Sequence, residues 1–227
     1  MKIVLSERLN RVANFIPEKT RLLDIGSDHA YLPIALIENK QIEYAIAGEV
    51  VFGPYKSAVD NVKSAGLTDV ITVRLASGLE AMQGSDAIKT ISICGMGGRL
   101  ISDILEQGKT KLQNVTRLVL QPNNRENEVR KWLENNNFQI ISEAILEEND
   151  KIYEIIVAEK GKMTLSNCQF IFGPHLLENR DSIFKKKWER EQAKIGYALS
   201  QIPENHPLER QKLEERYNVI KEVVNES

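Results

Sequence analysis

Apolar and polar positions along the first 160 residues switch between two periods. Leu5, Leu9, Val12, Ala13 and Ile16 recur at helical spacing behind Ser6, a residue type suited to an N-cap, and Pro17 with Thr20 closes that first helix. Short apolar runs then predict strands over 22–25, 44–48, 70–75, 90–94 and 116–121, with helices between them near 30–38, 54–65, 98–106 and 125–135. Strand alternating with helix is the pattern of a parallel sheet covered on both faces. The pattern then changes. Residues 138–147 and 151–160 are both extended and are separated only by the polar turn Glu148-Asn149-Asp150, which predicts a closing antiparallel hairpin.

From about Met163 the periodicity is purely helical. Leu177, Phe184, Trp188, Ile195, Leu199 and Ile202 are followed, after Pro203-Glu204-Asn205-His206-Pro207, by Leu213, Tyr217, Ile220 and Val224. Two helices with one apolar seam each can bury those seams against one another, so the tail reads as a coiled-coil-like helical hairpin reversing at the prolines. The expected organisation is an α/β domain over 1–162 and a helical domain over 163–227. Five parallel strands closed by a hairpin resemble the class I methyltransferase version of the Rossmann-like doubly wound sheet. A dinucleotide dehydrogenase usually has an all-parallel sheet.

Composition narrows the setting. The chain has 227 residues, of which 42% are hydrophobic, enough for a full core. No apolar run reaches the roughly 18 residues of a membrane span, and the start passes from Met1-Lys2-Ile3-Val4-Leu5 straight into polar residues without a signal-peptide core, so a cytoplasmic protein is expected. Cys94 and Cys168 lie far apart, outside any Cys/His cluster, and are expected to be buried free thiols with no zinc or other metal. A formal net charge of −2 confines any nucleic-acid surface to a local patch.

The crevice of an open parallel sheet lies beyond the carboxyl ends of its strands, which makes the strand ends the candidate site. The first strand runs into Asp24-Ile25-Gly26-Ser27-Asp28-His29-Ala30-Tyr31-Leu32-Pro33, where Gly26 lets the backbone approach a ligand and three polar side chains crowd the helix start. The second ends at Gly48-Glu49, at the spacing where an acid can take both ribose hydroxyls of an adenosine. The third ends at Ser77-Gly78, small residues suited to contact with adenine, and the fourth at Gly95-Met96-Gly97-Gly98, where backbone carbonyls can approach a methionyl group. The fifth presents the amides of Gln121-Pro122-Asn123-Asn124. A pyrophosphate needs a glycine-lined helix N-terminus, and an anion here would meet Asp28; the sulfonium and ammonium of S-adenosylmethionine have the opposite preference.

Together with Leu5-Ser6-Glu7-Arg8-Leu9 and Leu120-Gln121-Pro122-Asn123, these motifs resemble the TrmK family of bacterial tRNA adenine-N1 methyltransferases over nearly the whole chain. The resemblance implies transfer of a methyl group from S-adenosylmethionine to N1 of adenine 22 in the D-arm of tRNA. It assigns Asp24, Gly26, Ser27, Glu49, Ser77, Gly78, Gly95, Met96 and Gly97 to the cofactor. Asp28, His29, Tyr31 and Asn123 are the expected catalytic group: a carboxylate near the base, its partner, a stacking ring and an amide at the base edge. Arg8 and the tail cations Lys185, Lys186, Lys187 and Arg190 are expected at the RNA. A nicotinamide-dependent oxidoreductase and a non-catalytic RNA-binding adaptor are the competing readings. A monomer or weak dimer is expected.

Overall fold

The computed structural model describes residues 3–202 and 206–225. Its centre is a seven-stranded sheet in the order β3-β2-β1-β4-β5-β7-β6, built from β1 (Arg21–Ile25), β2 (Tyr44–Glu49), β3 (Ile71–Leu75), β4 (Thr90–Met96), β5 (Arg117–Pro122), β6 (Phe138–Glu148) and β7 (Lys151–Lys160). The first five strands pair in parallel, while β7 runs antiparallel to both β5 and β6, as the hairpin pattern predicts. Alternate residues of the central strands enter opposite cores. Leu23, Ile46 and Leu118 face α4 (Gly98–Gln107) and α5 (Glu126–Asn135), and Leu22, Ala45 and Val119 face α1 (Glu7–Ala13), α2 (Tyr31–Glu38) and α3 (Phe52–Ser64). The Ser6 hydroxyl accepts from the Leu9 N–H at 3.2 Å and so caps α1.

The tail is more than a hairpin. Two short helices, α6 (Asn167–Phe172) and α7 (Pro174–Asn179), precede the antiparallel pair α8 (Ser182–Gln201) and α9 (Pro207–Asn225). Leu177, expected on the first long helix, belongs to α7, because Gly173 and Arg180 with positive φ interrupt the helical run on either side. The predicted reversal at Pro203-Glu204-Asn205 lies outside the described residues. Phe172, Phe184, Trp188, Ile195, Ile220 and Val224 form a third core that includes Ile145 of β6, so the tail packs on the edge of the sheet. Among the described residues no helix is long and apolar enough to cross a membrane.

Candidate active site

At the carboxyl end of β1 and β4 a pocket of about 350 Å³ is lined by nine of the expected residues: Arg8, Asp24, Gly26, Ser27, Asp28, Tyr31, Gly95, Met96 and Asn123. Leu9, Leu32, Cys94 and Tyr153 complete the lining.

Asp24 forms the floor. Its two carboxylate oxygens accept from the hydroxyls of Ser27 and Ser92, each at 2.6 Å, in a buried setting. Burial pushes its carboxyl up to about 6, against these hydrogen bonds, with Glu49 adding to the rise. After Gly26 (φ +66°), the residues Asp28, His29 and Ala30 stand consecutively in the left-handed region, and α2 starts with no side-chain cap. Asn61 holds this turn from α3, donating to the His29 carbonyl at 3.0 Å, and Glu49 holds it from β2. Its carboxylate, buried at the end of β2, accepts the Asp28 backbone N–H at 2.5 Å. Burial raises the Glu49 carboxyl above its ordinary value, opposed by that hydrogen bond. The turn throws the Asp28 side chain, 80% exposed, to the pocket mouth beside His29 at 3.3 Å, and the His29 ring stacks on Tyr31 with centroids 5.2 Å apart.

The opposite wall is a network of amides around a bulge in β4. The register of β4 against β5 shifts between Cys94 and Met96, and Gly95 takes up the irregularity with φ +75°. Its N–H donates to Gln121 Oε1 at 3.0 Å and its carbonyl accepts from Asn123 Nδ2 at 2.7 Å. Gln121 Oε1 also accepts from Arg8 at 2.5 Å, which leaves Gln121 Nε2 to donate to Asn123 Oδ1 at 3.1 Å. These bonds fix the orientation of both amides. Asn123 keeps one N–H and one oxygen lone pair for a ligand. Arg8 is therefore a buttress of the pocket through Gln121, with Tyr153 5.4 Å from its guanidinium.

Other expected site residues lie outside this lining. Ser77 is exposed, Gly78 packs beside Ile104 of α4, and Gly97 lies beside Asn124. On the tail, Lys186 and Arg190 are exposed and both pair with Glu147. Lys187 corrects its assignment to RNA. It is mostly buried, with its ammonium 2.6 Å from both Glu126 and Glu154, so it is consumed by two internal carboxylates. Cys94 and Cys168 are free but only half buried.

A second, larger cleft of about 830 Å³ opens beside the pocket between α8, α9 and the start of α5, and shares Asn123 and Tyr153 with it. Gln121 stands in the strand-end motif without an assigned role, and Tyr153 lies outside the predicted site. The contacts of Gln121 to Arg8 and Gly95 are long-range and leave no local signature, whereas Tyr153 could have been placed by topology, since the start of an antiparallel β7 lies at the same sheet end as the end of β5.

This geometry fits a cationic, adenosine-sized ligand better than a dinucleotide. Three carboxylates ring the β1 turn, and Asp28 stands where a pyrophosphate would need glycine N–H groups. The model of the family described as tRNA (adenine(22)-N(1))-methyltransferase, TrmK, matches residues 22–225. The chain belongs to the TrmK family. A curated relative, the tRNA (adenine(22)-N(1))-methyltransferase of Bacillus subtilis, is 40% identical, with 98% of each chain covered. The Streptococcus pneumoniae protein Sp1610, solved in complex with S-adenosyl-L-methionine, is 52% identical and superposes with a TM-score of 0.92 over 97% of this chain and 100% of that one. TrmK from M. capricolum, in complex with S-adenosyl-homocysteine, is 31% identical, with a TM-score of 0.89 over 97% and 98% of the two chains. Membership of the TrmK family agrees with the motifs and disfavours the oxidoreductase reading.

Proposed function

We propose that the protein transfers a methyl group from S-adenosylmethionine to N1 of adenine 22 in the D-arm of tRNA. The observation that carries this reading is the pocket itself, in which the acidic β1 turn and the amide network of Gln121 and Asn123 face each other inside a TrmK-family fold. Asp24, Gly26, Ser27, Gly95 and Met96 would hold the cofactor's methionyl part. Glu49, with the oxygen that the Asp28 N–H leaves free, would take the ribose, and Ser77 and Gly78 would lie on the adenine side. S-adenosylmethionine, when bound, supplies an electrophilic methyl group.

The residues of this chain do the rest. Adenine N1 carries a free lone pair near neutral pH, so the nucleophile needs positioning more than deprotonation. Asn123 offers its free N–H and lone pair to the base edge, and Tyr31, backed by His29, offers a face to a base drawn out of the stack. The methylated base is a cation until a proton leaves N6. Asp28, exposed at the mouth, stabilises that charge or accepts the proton.

The second cleft supplies a path for the RNA strand. Arg125, Lys151, Arg190, Lys194 and Arg216 line it, opposed by Glu126, Asp150 and Glu191. Lys186 flanks the cleft face of α8 beside Arg190, both pairing with Glu147, while Lys185 lies on the side of the helix turned from the cleft and has no part in this path. This reading puts the protein in the cytoplasm, with its tRNA. Incubating unmodified tRNA with labelled S-adenosylmethionine and analysing the nucleosides tests it: label in 1-methyladenosine at position 22 is expected. Label on another base, or protection from unfolding by NAD and not by S-adenosylhomocysteine, would overturn it.

A further inference from the structure

We propose that Lys187 is a positioning residue for the active site. Acting through Glu126, it holds the 122–125 turn and therefore Asn123 at the pocket mouth; this deepens the methyltransferase reading and depends on it for the role of Asn123.

The ammonium of Lys187 reaches from α8 across the domain boundary and sits 2.6 Å from Glu126 and 2.6 Å from Glu154. Glu126 is the first residue of α5, directly after the turn that carries Asn123. Within the sheet domain, Gln121 donates to the Pro122 carbonyl and to the Asn123 amide, Asn123 donates to the Gly95 carbonyl, and Arg125 pairs with Glu128; Glu126 is what connects the turn to the tail. Arg125 is left-handed at φ +53° and supplies no side-chain cap. Two backbone hydrogen bonds connect the turn to the β4–α4 loop, from the Asn123 N–H to the Met96 carbonyl at 2.7 Å and from the Gly98 N–H to the Asn124 carbonyl at 2.9 Å. The turn is thus held on one side by the β4–α4 loop and on the other by the tail. Glu154, the second partner, follows Tyr153 of the pocket wall, so one ammonium ties down both wall elements that the pocket and the cleft share.

Arg130 is shared between Glu143 and Glu154, so Lys187 also balances the second of these buried carboxylates, and that role needs only the contact to Glu154. The contact to Glu126 is what remains to be explained, and its mechanical consequence is a fixed turn.

Hydrogen exchange and kinetics on the full chain separate these roles. In Lys187→Met, the Asn123 and Gly98 amides are expected to exchange about tenfold faster, while sheet amides such as Leu23 and Leu120 keep their protection. Turnover falls about tenfold with KM for tRNA and Kd for S-adenosylmethionine within about twofold, and Lys187→Arg recovers most of the loss. Glu126→Ala reproduces the faster exchange, and Asn123→Ala has little further effect on turnover in the Lys187→Met background. Unchanged exchange at Asn123 and Gly98, faster exchange throughout the sheet, a loss confined to KM for tRNA, or a full additional loss from Asn123→Ala would each overturn the proposal. If the wild-type protein left adenine unmethylated, the functional reading would fall, while the exchange measurement would still decide whether Lys187 holds the turn.

Discussion

Asp24 is the residue whose chemistry is most altered by its place in the fold. With its carboxyl pushed up to about 6 by burial, the neutral form is favoured in the free protein well above the ordinary carboxylate value. The stability this contributes is complete below about pH 4 and is lost as the pH rises through about 6. A cationic cofactor in the pocket favours the ionised form instead. Affinity for S-adenosylmethionine should therefore rise as the pH increases from 5 to 7, with release of a proton near pH 6, which calorimetry in buffers of different ionisation enthalpy would reveal. An affinity flat across that range would mean that Asp24 does not sense the cofactor charge. Asp24→Asn should leave the cofactor-free protein at least as stable at pH 7.5 and weaken the cofactor about tenfold. Asp28 and Glu49 divide differently. Asp28→Ala should lower turnover more than affinity, while Glu49→Ala should lose affinity, because it removes the proposed ribose ligand together with the acceptor of the Asp28 N–H. Equal losses of affinity in the two variants would erase that division.

At the scale of elements, the chain is legible wherever one period runs long enough to be read. The strands 44–48 and 90–94 and the helices 98–106 and 125–135 differ from their structural counterparts by only one or two residues at an end. The start of α2 was not legible. Asp28 before Ala30 suggests an N-cap, but the structure uses three left-handed residues and a distant carboxylate from β2, a long-range contact with no local signature. Tail helices α6 and α7 were hidden for a related reason: six-residue helices are too short to display a period. The β4–α4 junction shows what close packing demands. A Cβ on Gly98 would lie 2.3 Å from the Arg125 carbonyl oxygen and 2.8 Å from that of Asn124, so the turn bearing Asn123 would have to move. Gly98→Ala should destabilise the fold by about 1–3 kcal/mol and lower turnover more than cofactor affinity. Urea unfolding and steady-state kinetics would check both, and a fully active variant would show that the turn tolerates displacement.

For the whole molecule, the junction between tail and sheet is ionic as well as apolar, and the apolar seams alone do not disclose it. Arg130 is fully buried on α5, donates to Glu143 at 2.9 Å and to Glu154 at 2.5 Å, and reaches the carbonyls of Phe170 and Ile171 in α6 at 3.2 Å each. Glu143 accepts in turn from the His175 N–H of α7 at 3.0 Å. The sequence held one signal of this, a glutamate and an arginine at apolar positions of β7 and α5, but pairing them requires the folded chain. Burial opposes the charge on Arg130, and Glu154 and Glu143 more than restore it. Glu143 shows the other side of the balance: burial holds its carboxyl above the ordinary value in spite of Arg130. Removing Arg130 thus leaves Glu143 without a cation and Glu154 with Lys187 alone. Arg130→Met, which fills similar space, should destabilise the protein by about 3–5 kcal/mol at neutral pH. The sign of its pH dependence follows from the same groups. Without the guanidinium both buried carboxyls titrate at higher pH than in the wild type, so the variant's stability is retained at acid pH and lost as the pH rises through their new values. The deficit relative to wild type should accordingly be smaller at pH 5 than at pH 8 in parallel urea titrations. A deficit independent of pH would mean that Arg130 joins tail to sheet by packing and backbone hydrogen bonds, with its charge contributing nothing.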